Sequence, residues 1–88
     1  MKAAEELGSL FYELREDAYL TQQQLADILG VSQPTVSHWE AGKYLPRQHI
    51  MESIDQVAPG FAAEMRYLWR KGRREIYRNG QKRRGENP

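Results

Sequence analysis

Residues 21–43, TQQQLADILGVSQPTVSHWEAGK, leave room for little besides two short helices joined by a sharp turn. Thr21 stands three residues before Gln24, the spacing at which each side chain satisfies a backbone N–H at a helix start, so a helix begins near Gln22. Leu25, Ala26, Ile28 and Leu29 supply its apolar face. Gly30 ends it, because glycine takes the left-handed backbone of a helix C-terminus at the least cost. Ser32 caps a second helix, and Pro34 in its first turn lacks an N–H where the helical ladder needs none. Val36 and Trp39 turn inward, Gln33, Thr35, Ser37 and His38 are left outward, and Gly42 closes the unit.

Two helices so joined let one brace against a DNA backbone while the next enters a major groove. The outward side chains are short or planar hydrogen-bonding groups that suit base edges and phosphates. The series Leu20-Thr21-Gln22, Leu25-Ala26, Leu29-Gly30-Val31-Ser32, Val36, Trp39-Glu40, Gly42-Lys43 and Pro46 resembles the phage repressor and Cro type of helix-turn-helix, the xenobiotic-response-element family of regulators, over about residues 4–58. The resemblance implies a lambda-repressor-like, all-α fold, which the periodicities below extend to five helices with a long last one. It implies that Gln22 holds a phosphate and buttresses Gln33, so that these two side chains meet. It also implies a partly buried Arg15–Glu40 salt bridge, since a planar guanidinium grips a carboxylate with two hydrogen bonds.

The expected base contacts are therefore Gln33, whose amide can pair with adenine or support Gln22, together with Pro34, Thr35, Ser37 and His38. Pro34 has no side-chain donor; it sets the helix start and can touch a thymine methyl. The expected phosphate contacts are Gln22, Lys43 and Arg47. The spacing of Trp39 from Val36 places it in the core rather than against a base.

With 88 residues and 40% hydrophobic content, the chain is expected to form one small domain, residues 1–79, followed by a disordered basic tail at 80–88. Cysteine is absent, so there is no disulfide framework. No secretory run and no apolar stretch of transmembrane length occurs, which reads as a cytoplasmic protein without membrane attachment. Two histidines, His38 and His49, do not make a metal site, and no cofactor is expected. The net charge of +1 conceals an asymmetry. Residues 1–40 hold two basic and seven acidic residues, whereas 41–88 hold eleven basic and five acidic, beginning with Lys43 and Arg47 just after the second helix.

Flanking periodicities complete the five helices. Leu7, Leu10, Phe11 and Leu14 mark one at 3–18, slightly weakened by Gly8. Ile50, Ile54 and Val57 mark another at 47–57, and Pro59-Gly60 breaks the chain. The last helix, 60–79, carries Phe61, Met65, Leu68, Trp69 and Ile76 along one stripe and is expected to end at Gly80. Its basic rows either solvate an outer face or flank a dimer-forming stripe in which Trp69, Ile76 and Tyr77 meet a second subunit.

No catalytic constellation is present: no serine or threonine has an activating base nearby in sequence, and the glycines form no phosphate-cradling loop. The reading is a non-enzymatic regulator that binds a two-fold-related double-stranded DNA operator as a homodimer, with repression favoured over recruitment of RNA polymerase. An alternative is an antitoxin-type interaction module whose last helix neutralises a toxin partner while the motif autoregulates its promoter. RNA binding by the arginine-rich end lacks the stacking aromatics of a sheet platform.

Overall fold

The computed structural model describes residues 2–86 of the backbone and the side chains through Ile76. Five helices follow in order: α1 Lys2–Asp17, α2 Gln22–Leu29, α3 Gln33–Glu40, α4 Gln48–Val57 and α5 Pro59–Glu86. Among the described residues there is no strand.

The punctuation of the motif works as its sequence requires. The Thr21 hydroxyl accepts from the Gln24 N–H and the Gln24 side chain accepts from the Thr21 N–H, closing a capping box. Gly30 ends α2 in the left-handed region at φ 73°. The Ser32 hydroxyl caps α3, and Pro34 occupies its first turn.

α1 packs against both α3 and α5, α2 against α3, and α4 against α5. The core they enclose centres on Phe11, whose ring lies 5.2 Å from that of Trp39, with Leu7, Leu14, Leu25, Val36, Ile50, Ile54 and Met65 around it. Gly8 is buried where α1 crosses the end of α3: a Cβ there would lie 2.4 Å from the Trp39 carbonyl oxygen. The glycine that weakens α1 as a helix is thus the one that lets α3 approach it.

Three expectations are corrected. Ile28 does not join the apolar face of α2; it is 54% exposed, because an eight-residue helix packed on α3 buries only Leu25, Ala26 and Leu29. Pro59 begins α5 instead of breaking the chain before it, proline's fixed φ suiting a first turn. The helix also continues past Gly80 to Glu86, over residues expected to be disordered. Glycine inside a helix costs about 1 kcal/mol relative to alanine but does not terminate it. At about 1.5 Å per residue, this 28-residue helix accounts for the long dimension of a molecule measuring 45 × 24 × 20 Å.

Candidate nucleic-acid interface

Four side chains from α1, α2 and α3 form a connected chain of hydrogen bonds. Arg15 Nε donates to Glu40 Oε2 at 2.7 Å and its Nη2 to Glu40 Oε1 at 3.2 Å, while Nη1 donates to the Leu20 carbonyl at 2.9 Å. The two side chains are only 12% and 8% exposed. The hydrogen bonds that Arg15 donates to the Glu40 carboxylate raise the Arg15 pKa above its ordinary value, against the opposing effect of burial. Gln22 Nε2 donates to Glu40 Oε1 at 3.0 Å, and Gln33 Nε2 donates to Gln22 Oε1 at 2.6 Å. Both pairings expected from the resemblance, Gln22 with Gln33 and Arg15 with Glu40, are therefore present. The Gln22–Glu40 bond joining them was not anticipated, since sequence spacing alone does not show that α2 and α3 bring an amide to a carboxylate already held by arginine.

The outward face of α3 fans across three directions. Gln33 and Ser37, one turn apart, lie on the side of Gln22 and Glu40. Pro34 is exposed on the outermost strip. Thr35 lies toward the loop that follows α3; its hydroxyl is 2.8 Å from that of Ser32, and its own N–H is capped by Ser32. His38 Nδ1 lies 3.1 Å from the Tyr44 hydroxyl, the two rings meeting edge-on at 5.5 Å. This partner was missed: Tyr44 read as one residue of a loop. Its return to α3 depends on Gly42, at φ 73°, where a Cβ would in addition strike Glu5 at 2.9 Å.

Beyond the motif, Lys43 and Arg47 are both exposed, and Arg47 stands at the N-cap of α4 without bonding its helix through its side chain. The expected dimer residues separate. Trp69 is half-buried, donates its indole N–H to the Pro46 carbonyl and lies under the Arg73 guanidinium, whereas Ile76 is 40% exposed. The Tyr77 side chain lies outside the described residues. Of the basic rows on α5, Arg66 is engaged with Asp55, while Arg70, Arg73 and Arg74 are exposed.

The helix-turn-helix family matches residues 11–57, more than half of the chain. The chain belongs to the helix-turn-helix family. It is 42% identical over 44 residues to Repressor protein C of Escherichia phage P2, a match covering 50% of this chain and 44% of that protein. It is 33% identical over 52 residues to Multiprotein-bridging factor 1a of Arabidopsis thaliana, covering 59% and 37% respectively. The chain thus spans less than half the length of either relative. No solved structure matches it. Among the described residues no helix is long and apolar enough to cross a membrane.

Proposed function

We propose that this helix-turn-helix protein is a sequence-specific regulator that binds double-stranded DNA, reading bases in the major groove with α3. The observation that carries this is the Gln33 side chain, braced by Gln22 at 2.6 Å at the start of a helix whose outward face is polar. Gln33, Pro34, Thr35, Ser37 and His38 supply the base contacts, and Gln22, Lys43 and Arg47 hold phosphates. One α3 spans few base pairs, so the protein acts as a homodimer on two half-sites about one DNA turn apart. The length of α5 and the exposed Ile76 supply a surface for pairing. Repression follows by occlusion of a promoter, in keeping with the likeness to a phage repressor.

Selection of bound duplexes from a random pool tests the proposal. Recovery of a two-fold-related motif supports it, and recovery of no common motif at moderate salt overturns it.

A further inference from the structure

We propose that Glu40 is a positioning residue for base recognition: acting through Gln22, it sets which end of the Gln33 amide faces DNA. This rests on the reading of Gln33 as a base contact. A side-chain amide has a donor end and an acceptor end, and rotation about its last torsion exchanges them; alone, it has no fixed polarity toward a groove.

Here polarity is imposed from the interior. The Glu40 carboxylate, gripped by Arg15 at 2.7 and 3.2 Å, only accepts hydrogen bonds. Gln22 must therefore turn its Nε2 toward Glu40, as it does at 3.0 Å. Its Oε1 then faces Gln33 and draws the Gln33 Nε2 to 2.6 Å. One N–H of Gln33 is consumed, leaving its Oε1 and a single N–H for DNA. That acceptor and donor match the N6 amino group and N7 of adenine. They mismatch guanine, which shows two acceptors, O6 and N7, at the same edge.

Glu40→Gln reverses the chain. A carboxamide has one acceptor oxygen, which Arg15 takes, so the new NH₂ faces Gln22. Gln22 then presents Oε1 inward and Nε2 to Gln33, which turns both of its N–H groups outward toward acceptors such as those of guanine. Gln22→Met instead cuts the chain while leaving the Arg15–Glu40 pair in place.

The experiment measures binding of wild type and both variants to duplexes that differ only in adenine or guanine at the base read by Gln33, with thermal midpoints recorded beside them. The wild type is expected to favour adenine about tenfold or more. Gln22→Met should lower that ratio to about threefold or less, with both duplexes bound more weakly, and Glu40→Gln should level or reverse it. An adenine preference undiminished in Gln22→Met overturns the proposal, including where Glu40→Gln fails to fold; so does an undiminished preference in a folded Glu40→Gln. Gln33→Ala separates the underlying reading: if it leaves the wild-type preference intact, Gln33 is not the base contact.

Discussion

The indole N–H of Trp69 donates to the Pro46 carbonyl at 2.7 Å, tying α5 to the loop that leaves α3. Leu45 of the same loop sits over Gly72, where a Cβ would lie 3.0 Å from both of its methyl carbons. The stripe read as a dimer surface is thus spent in part on holding the motif to the last helix. Trp69→Phe keeps most of the ring packing and loses the hydrogen bond, so it should cost about 0.5–1.5 kcal/mol in denaturant unfolding. In sedimentation equilibrium Ile76→Asp, not Trp69→Phe, should weaken self-association; equal association by all three proteins would remove α5 as the interface.

Gly8 and Gly60 should respond to alanine with opposite signs. By helix propensity alone both substitutions stabilise, by up to about 1 kcal/mol. At Gly60 nothing lies within 4 Å of the added carbon, and that gain should appear as a higher thermal midpoint. At Gly8 the carbon meets the Trp39 and Glu40 carbonyl oxygens at 2.4 and 2.7 Å, backbone atoms that cannot rotate aside. Prying α1 from α3 should cost about 1–3 kcal/mol, as other overpacked cores do. A stabilised Gly8→Ala protein would contradict the close crossing.

These glycines mark what is legible in such a chain. Caps, the Gly30 turn and the inward Val36 and Trp39 follow from local spacing, because the groups that decide them lie within four residues of one another. The Gln22–Gln33 and Arg15–Glu40 pairs were accessible through a family pattern that encodes contacts across helices. Gly8 looked like a weakness because propensity records the helix it sits in and not the carbonyls it faces. Ile28 misled for a related reason: its position fits an apolar face, but only a neighbour on that side would have buried it, and none of α2's packing supplies one. The His38–Tyr44 contact needed the path of the loop, which depends on the backbone at Gly42.

Tyr19 is the one described non-glycine residue at positive φ, 57°, where α1 ends, and it is 95% exposed. Its side chain gains little packing to offset the left-handed backbone, which costs an L-residue about 1–2 kcal/mol. Tyr19→Gly should therefore stabilise the protein by about 0.5–1 kcal/mol in chemical denaturation, after glycine's added freedom in the unfolded chain is subtracted. A loss of stability would contradict the reading that its side chain contributes too little packing to offset the left-handed backbone.

Arg15 and Glu40 should behave as a unit. Arg15→Met strands a carboxylate that is only 8% exposed and should cost about 3–5 kcal/mol. Adding Glu40→Leu should return part of that loss, since two apolar groups leave no unpaired charge; a double variant no more stable than Arg15→Met would show that the cost lies elsewhere. The pH dependence has a definite sign. A raised folded-state arginine pKa makes its contribution fully present below the ordinary arginine value and lost only as pH climbs through the higher folded one. Arginine titration should therefore remove no stability across the neutral range.

Base choice and attraction to DNA fall on different parts of the proposed interface, and salt separates them. α3 carries no lysine or arginine, whereas exposed Lys43 and Arg47 follow it directly. Each phosphate neutralised steepens the fall of log affinity with log salt by about 0.9. Lys43→Ala and Arg47→Ala should therefore each flatten the slope by about that amount and weaken all duplexes alike, leaving the selected motif unchanged. Gln33→Ala should do the reverse, changing the motif at one or two positions while the slope holds. Titrations at several salt concentrations on a selected and a scrambled duplex read both effects. A slope unmoved by either cation's loss would shift the attraction to Arg70, Arg73 and Arg74, the exposed arginines of α5.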